Sequence, residues 1–207
     1  MILLHTLMQD GREAWHGEAL RSVPRGVMHL ITTGNEFLRT RWLAMTMAGE
    51  MVGFLDDDDY LIGDPIEACA RALRETGAGV AFTWDRTIEE GGATLRDNTS
   101  RTSYEAITQA PYAIRQFSLV RRSCITDAAL RLACDVGPHV IDLALKAQVA
   151  FDHGAVQVPM IGYARRRHPG GMSRNGFAEQ WTAAAPTLQR WYDASSRRGA
   201  VPVYGSA

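Results

Sequence analysis

The sequence predicts an α/β protein in which a mainly parallel central sheet is flanked by helices. In the first half of the chain, short apolar runs alternate with segments whose apolar residues recur at helical spacing. Strands that alternate with such helices are joined by right-handed crossovers, which place them side by side and parallel. A chain of 207 residues can bury one sizeable core. We therefore expect one domain over residues 1–176, followed by an amphipathic helix and tail over residues 177–207.

Composition and charge exclude several classes of protein. Hydrophobic residues make up 46% of the chain and charged residues 22%, which is typical of a globular protein. The net charge of −1 creates no global attraction to nucleic acid or to a membrane surface. The three scattered cysteines form no C-x-x-C pair, which disfavours a disulfide framework or a structural zinc site. Because the sequence also shows no apolar stretch of membrane-spanning length, we expect a cytoplasmic protein without a membrane span.

The first 55 residues are predicted to form three strands and two helices. Each strand is a short apolar run, and each helix carries apolar residues on one face before a glycine or proline interrupts the pattern. In chain order, the elements are a strand over Ile2–Met8, a helix over Glu13–Ser22, a strand over Val27–Thr32, a helix over Glu36–Ala48 and a strand over Val52–Leu55.

The next helix has the most specific local signals in the chain. Asp64 is predicted as its N-cap, Pro65 occupies the first helical position, and Glu67 completes a capping box. Gly77 ends the helix, as glycine commonly does because it accepts a left-handed backbone conformation. A fourth strand is predicted directly after it, over Val80–Trp84.

The second half of the chain gives weaker signals. The polar segment Glu89–Tyr104 indicates a hairpin or a mobile loop, and the residues after Ser195 are expected to be frayed. The aromatic stripe of the last helix is expected to pack on the core or in a homodimer. The other predicted elements are a strand over Phe117–Val120, a helix from Pro138 to Ala147, an extended segment over Val156–Tyr163, a basic loop over Arg165–Gly171, and a last helix over Phe177–Tyr192, bent near Pro186.

Four consecutive aspartates, Asp56 to Asp59, directly follow the buried-strand pattern Met51–Leu55. This position lies at the carboxyl end of a strand, the edge at which open α/β sheets bind ligands. Four adjacent like charges repel one another, and a divalent cation such as Mg²⁺ or Mn²⁺ would neutralise them through oxygen ligands often shared with substrate phosphates. A solvated acidic turn that caps the next helix is the alternative interpretation.

Two separated blocks of sequence resemble family 2 glycosyltransferases of the A-type fold. Together they cover residues 1 to about 175. The first block contains Arg39-x-Arg41, Ala48-Gly49-Glu50 and Val52-Gly53-Phe54-Leu55-Asp56-Asp57-Asp58-Asp59. The second contains Asp142-Leu143-x-Leu145-Lys146 and then Pro159-x-x-x-Tyr163-x-Arg165-x-x-His168-Pro169-Gly170-Gly171-Met172-Ser173.

The resemblance implies transfer of a sugar from a nucleotide-sugar donor, usually a UDP-sugar, with inversion at the anomeric carbon. It implies a D-x-D pair at Asp56 and Asp58, with Mn²⁺ or Mg²⁺ held by Asp56, Asp58 and His168. Contacts to the nucleotide-sugar are implied for Asp56, Asp57, Arg39 and Arg165, while Asp59 is as readily a structural cap. His168 has the alternative role of a solvated loop histidine. Arg165 and Arg167 either offset diphosphate charge or form a basic surface turn that could meet an anionic acceptor.

The chain departs from the family pattern at the position of the catalytic base. The family usually has Glu-Asp just before the "D-L-x-L-R" motif, whereas this chain has His139 and Val140 there. Inverting transfer needs a general base near the acceptor hydroxyl, and valine cannot be one. His139, oriented by Asp142 three residues later, is one candidate, and Asp142 or Asp135 acting directly is another. An altered or inactive enzyme remains an alternative.

A second departure follows strand two, where the acidic residue that commonly binds the nucleotide is replaced by Thr32-Thr33-Gly34-Asn35. Asn35, Gln9 and Asp10 are the remaining candidates for hydrogen bonds to the nucleotide. Two further functions stay open: a non-catalytic nucleotide-sugar-binding relative and a nucleotidyltransferase. Nucleotidyltransferases usually have a Gly-rich basic loop that holds the triphosphate. Asp10-Gly11-Arg12 resembles that loop only weakly, which argues against a nucleotidyltransferase. The acceptor is expected to be a glycan, a lipid-linked sugar, a protein or, with less support from the net charge, a nucleic acid.

Overall fold

A mixed β-sheet forms the centre of the structure, a computed structural model that describes residues 1–33, 44–47, 49–110, 113–137, 140–170 and 177–205, with the backbone alone at 133 and 134. The strands of the described residues are β1 (Ile2–Met8), β2 (Met28–Thr33), β3 (Met51–Phe54), β4 (Tyr60–Leu61), β5 (Val80–Glu89), β6 (Thr94–Asn98), β7 (Ser118–Arg121) and β8 (Ala155–Arg167).

Parallel and antiparallel pairings both occur in this sheet. The strand order is β2-β1-β3-β7-β5-β8-β4, and β6 pairs with residues 85–88 of β5. Among the described strands, β1 runs parallel to β2 and β3, and β5 runs parallel to β8. The pairs β3–β7, β4–β8, β5–β6 and β5–β7 are antiparallel. The predicted α/β fold with a helix-flanked central sheet is confirmed, and its sheet is mixed.

Helices cover both faces of the sheet. The helices of the described residues are α1 (Glu13–Ser22), α2 (Pro65–Thr76), α3 (Ala106–Gln109), α4 (Asp127–Val136), α5 (Ile141–His153) and α6 (Phe177–Ala194), and residues 122–124 form a 3₁₀ turn. Neighbouring strand residues point to opposite faces, so Met51 and Val52 belong to different cores. Met51 packs with α1 and α2, whereas Val52 packs with α4, α5 and α6.

Local sequence signals are accurate where they are specific. The Asp64 side chain accepts a hydrogen bond from Glu67 N at 3.2 Å, and Gly77 ends α2 with φ of 71° and donates from its backbone N–H to Leu73 O. The hairpin interpretation of the polar segment after residue 89 is also confirmed, because β6 pairs antiparallel with β5. Strand β2 begins one residue later than predicted, at Met28.

Several predictions in the second half of the chain are wrong. Arg165–Arg167 lie within β8 rather than in a loop, because β5 extends to Glu89 and pairs with them. The tail is not frayed over its described residues: Val201 is buried, and Gln157 N donates to Pro202 O at 2.8 Å. Helices α3 and α4 and strand β4 were not predicted. Helix α3 and strand β4 have four and two residues, too few to show a periodic pattern, whereas α4 has ten residues and follows Thr126, which is a suitable N-cap residue.

Two predicted helices fall partly outside the described residues. Of the helix predicted over Glu36–Ala48, residues 44–46 are described and are helical, and the segment that contains Arg39 and Arg41 lies outside. The helix predicted from Pro138 is described from Ile141, and it extends to His153, beyond the predicted end at Ala147. Pro138 and His139 lie outside the described residues.

The sheet gathers the carboxyl ends of four strands at one edge. Strand β3 runs parallel to β1, and two successive antiparallel pairings through β7 make β5 parallel to β3. Strand β8 is parallel to β5, so it ends at the same edge. The segments that follow Met8, Phe54, Glu89 and Arg167 are therefore neighbours, although up to 159 positions separate them in the sequence.

Candidate functional site

The four aspartates leave the sheet at this edge and are largely buried. Leu55 continues β3 with a hydrogen bond to His5 O, and the chain then turns away. Asp57, Asp58 and Asp59 are 1%, 7% and 4% exposed, while Asp56 is partly exposed. Since buried charges need partners, the groups that surround these carboxylates define the site.

Asp57 binds the end of β1 and the start of α1. Its Oδ2 accepts hydrogen bonds from Gln9 N at 2.6 Å and from His16 Nε2 at 3.1 Å. Its Oδ1 lies 2.9 Å from Arg12 Nη1. Three donors on one carboxylate hold the acidic segment against the loop that follows β1, so in this structure Asp57 joins two strand ends together.

Arg12 is a buried cation within the acidic cluster. Its Nη1 contacts Asp57 Oδ1 and Asp58 Oδ2, each at 2.9 Å, and its Nη2 donates to Gly170 O at 3.1 Å. The residue is 8% exposed. Burial by itself lowers the pKa of the guanidinium, but the charges of Asp58 and Asp57 outweigh that effect and leave the pKa raised. Arg12 thus links the loop after β1, the aspartates and the segment after β8.

His168 lies against Asp58, as its predicted role requires. The Nε2 atom of His168 is 2.8 Å from Asp58 Oδ2. The ring of Trp15, on α1, packs against the imidazole with ring centroids 4.5 Å apart. His168 is 6% exposed, so the alternative of a solvated loop histidine is wrong.

Asp59 and Arg166 join the acidic segment to β8. Asp59 Oδ1 accepts a hydrogen bond from Arg166 N at 2.6 Å, and the Arg166 side chain donates to Asp58 O at 2.9 Å, to Glu90 O at 2.7 Å and to Glu18 Oε2 at 2.5 Å. One buried arginine therefore fixes the hairpin turn, α1 and the aspartates relative to one another. Asp59 therefore has a structural role, since its carboxylate connects the acidic segment to the backbone of β8.

Asp56 faces the opposite side of the cluster, toward α5. Its Oδ2 accepts a hydrogen bond from Gln116 Nε2 at 2.6 Å, and Gln116 O accepts one from Lys146 Nζ at 3.1 Å. Lys146 is buried in α5, and Asp142 stands four residues before it on the same helix face. This chain of contacts brings the first turn of α5, with Asp142, to the side of the site that Asp56 borders.

Burial and mutual repulsion perturb the acidic groups. Burial, followed by the charge of Asp56, raises the pKa of Asp58, and Arg12 and His168 offset part of that rise. Burial and the charge of Asp58 raise the pKa of Asp59 well above the ordinary value. Burial and the charge of Asp59 likewise raise the pKa of Tyr163, whose hydroxyl oxygen accepts a hydrogen bond from Asp56 N at 3.2 Å. Burial is the largest cause of each rise, so the surroundings of Asp58 and Asp59 disfavour the ionised carboxylates.

The donor atoms at Asp56, Asp58 and His168 fit a divalent cation in kind, since carboxylates and imidazole are ordinary ligands for Mn²⁺ and Mg²⁺. Within the described residues, however, no three His, Cys, Asp or Glu side chains are grouped as a metal-binding set. Asp58 Oδ2, the atom that would bind a cation beside His168, is in contact with both His168 and Arg12.

An open cavity of about 450 Å³ adjoins the cluster. His168 forms one wall of it, and the turn between β5 and β6 forms the other. Acidic, basic and uncharged residues form the rest of its lining, namely Glu89, Glu90, Gly91, Leu95, Arg167 and Pro169. One imidazole ring thus separates this cavity from the carboxylate of Asp58.

The other predicted site residues have different positions. Arg165 directs its Nη2 toward Thr87 Oγ1 at 3.4 Å, while its neighbour Arg166 makes the contacts to the aspartates. Asp135 lies in the last turn of α4. His139 and Arg39 lie outside the described residues. Sequence reasoning missed Arg12, His16, Gln116 and Arg166 as members of the site; only Arg12 and Arg166 gave a signal, by adjoining a predicted strand end and a recognised motif.

The fold and the arrangement of this edge define an A-type glycosyltransferase fold. Solved structures of S. aureus TarS share this fold. The TarS 1–349 complex with UDP has a TM-score of 0.58 at 13% identity and covers 93% of this chain and 64% of that one. The complex with UDP-GlcNAc has a TM-score of 0.58 at 13% identity and covers 86% and 64%.

The unliganded 1–349 fragment of TarS aligns with a TM-score of 0.56 at 12% identity over 80% of this chain and 60% of that one. This chain therefore spans less than two thirds of the TarS fragments that it matches. No protein-family profile and no curated protein matches it by sequence. At such low identity the likeness shows the fold alone, and it confirms the fold predicted from the two motifs.

A membrane crossing needs a long apolar helix. Among the described residues, none of the helices has the length and apolar character for one.

Proposed function

We propose that this chain binds a nucleotide-sugar, with UDP as the favoured nucleotide, at the edge formed by β1, β3 and β8, and transfers the sugar to an acceptor with inversion. The observation that carries the proposal is the contact between Asp58 and His168, which brings two distant motifs together at one sheet edge. The TarS structures with UDP and UDP-GlcNAc support it, because they share the fold that creates this edge.

A bound Mn²⁺ or Mg²⁺ would act as a Lewis acid on the leaving diphosphate. Asp56, Asp58 and His168 would hold it. On the protein side, Asp57 and Asp59 fix the segment through Gln9 N and Arg166 N, so that Asp56 and Asp58 keep their positions when substrate binds. Trp15 packs on the His168 ring and restricts its orientation.

Asp142 is the proposed general base. It lies in the first turn of α5, on the face that also carries Lys146, and Lys146 connects through Gln116 to Asp56. A carboxylate there would take the proton from an acceptor hydroxyl that attacks the sugar on the side away from the diphosphate.

Calorimetric titration tests the donor site. Wild type is titrated with UDP, GDP, CDP and dTDP, with Mn²⁺ and separately with EDTA. We expect metal-dependent binding of UDP and its loss in Asp58→Asn, because that change removes the carboxylate charge and leaves the side-chain shape intact.

Asp97→Asn is the matched control, since Asp97 is a surface carboxylate paired with Arg86 on β5. It should bind nucleotide as wild type does. Failure of wild type to bind any of the four nucleotides under either condition would refute the proposed function. Binding without turnover of any donor would instead indicate a nucleotide-sugar-binding protein that lacks transferase activity.

A further inference from the structure

We infer that Arg12 is a resident cation of the donor site: it opposes metal binding at Asp58 and provides positive charge for the donor diphosphate. The inference rests on the proposed function and extends it to a residue outside both motifs. Arg12 belongs to neither the D-x-D segment nor the histidine segment, yet it contacts both of them.

The contacts of one nitrogen atom carry the first half of the inference. Arg12 Nη1 lies 2.9 Å from Asp57 Oδ1 and 2.9 Å from Asp58 Oδ2. Asp58 Oδ2 is also the oxygen that contacts His168 Nε2 at 2.8 Å. A cation held between Asp58 and His168 would therefore have to take the oxygen that Arg12 occupies, and would lie within a few ångströms of a second positive charge.

Burial makes that competition strong. Arg12 is 8% exposed and Asp58 is 7% exposed, so solvent screens their interaction poorly. A divalent cation must displace the guanidinium contact and bear its repulsion, and both effects reduce metal affinity. Asp57 still offers Arg12 a partner, because its Oδ1 contact does not depend on Asp58. Arg12 can thus release Asp58 and keep a place in the site.

The second half of the inference, that Arg12 provides positive charge for the donor, follows from the chemistry of the diphosphate group. A guanidinium group binds phosphate oxygens through paired, charge-assisted hydrogen bonds. Arg12 precedes α1 at the edge where β1 and β3 end, beside the carboxylates proposed to hold the diphosphate. Arg12 contacts the carboxylate of Asp58, whereas Arg166 contacts its backbone carbonyl, so part of the nucleotide affinity should persist without metal and depend on Arg12.

Two titrations on the full chain test the inference. Mn²⁺ binding, without nucleotide, is followed by the loss of the free Mn²⁺ signal in electron paramagnetic resonance. UDP binding in EDTA is followed by calorimetry. We expect Arg12→Met to bind Mn²⁺ at least about tenfold more tightly than wild type, because a nearby positive charge is removed. The same variant should bind UDP more weakly in EDTA.

Opposite changes in the two affinities distinguish this role from a structural one, since a damaged site would lose both. Arg12→Gln, which is neutral but still a hydrogen-bond donor, provides the same test if Arg12→Met does not fold. Arg86→Met is the matched control, because Arg86 is a partly exposed arginine that pairs with Asp97 at 2.6 Å. It should leave both affinities unchanged.

Unchanged or weaker Mn²⁺ binding by the Arg12 variants would overturn the inference, and so would an absence of Mn²⁺ binding in every protein. Tighter Mn²⁺ binding with unchanged UDP affinity in EDTA would overturn the phosphate role. If wild type and Arg86→Met bind no UDP with or without Mn²⁺, the proposed function fails, and the Mn²⁺ titration still decides whether Arg12 excludes metal.

Discussion

Neighbouring aspartates in one segment have distinct roles, set by the direction of each side chain. Asp57 and Asp59 accept hydrogen bonds from the backbone N–H groups of Gln9 and Arg166, so they connect three strand ends. Asp58 meets His168, and Asp56 meets Gln116 on the side of α5. Four identical residues thus separate into two that accept hydrogen bonds from backbone N–H groups and two that contact the side chains of His168 and Gln116.

The residue on which turnover should depend is Asp142. With the donor identified by calorimetry, Asp142→Asn should lower kcat for release of nucleotide from the nucleotide-sugar by about 100-fold, the typical contribution of a general base. Nucleotide affinity should not change, because the proposed base acts on the acceptor hydroxyl and not on the nucleotide. Release rates are measured with water or a sugar as acceptor.

Asp152→Asn is the control on the same helix, since Asp152 lies in its last turn, where it accepts a hydrogen bond from Gln148. It should retain wild-type kcat. An unchanged kcat in Asp142→Asn would exclude Asp142 as the base and leave His139 and Asp135 as the candidates to substitute next.

Single elements in this fold are fixed at their ends by short local contacts. Helix α1 is held to the acidic segment through Arg12 and His16, and β8 is held through Arg166. Helix α2 has an N-cap at Asp64 and a left-handed glycine at Gly77. Such contacts decide where an element begins and ends, whereas its apolar face decides what it packs against.

The cap of α2 gives a stability prediction at this scale. Asp64→Ala should lower the free energy of unfolding by about 1 kcal/mol, because Glu67 N loses its acceptor and the first turn loses a favourable charge. Urea denaturation measures the change. Asp64→Ser retains an acceptor and should remain close to wild type. Equal losses in both variants would show that the hydrogen bond from Glu67 N does not stabilise the helix.

The whole molecule responds to pH through groups that folding removes from water. Burial lowers the pKa of His29 in the folded protein, where it lies beside Thr6 Oγ1 at 2.9 Å between β1 and β2. As pH falls through the unfolded value of about 6.5, the unfolded chain takes up a proton that the folded chain resists. Stability is therefore full above that pH and is lost below it.

His29→Gln removes this source of pH dependence and retains a side chain that can bond to Thr6. Between about pH 7 and pH 5, wild type should lose unfolding free energy relative to the variant. Urea denaturation at each pH, with EDTA present to exclude metal effects, measures the difference. Parallel curves for the two proteins would show that His29 has the same pKa in both states.

Much of the fold could be predicted from sequence, because its signals are local. Strand β1, helix α1 and the capped helix α2 follow from apolar spacing and from three or four end residues. The weaker second half shows the limit of that reasoning. Arg165–Arg167 are extended only because β5 continues to Glu89 beside them, and Val201 is buried only because the tail returns to Gln157. Neither partner is near in sequence.

The sequence by itself determined the α/β architecture, the placement of Asp56–Asp59 at a strand end and the two motifs that predicted the glycosyltransferase fold. The spacing of apolar residues and the residues typical of turns are local properties, so they can be recognised within one short stretch of the chain. Only the tertiary structure decided which aspartate meets His168, that Arg12 lies between Asp57 and Asp58, and that Arg166 joins three elements. Those contacts link residues up to 148 positions apart, and it is the pairing of distant strands that brings them within hydrogen-bonding distance.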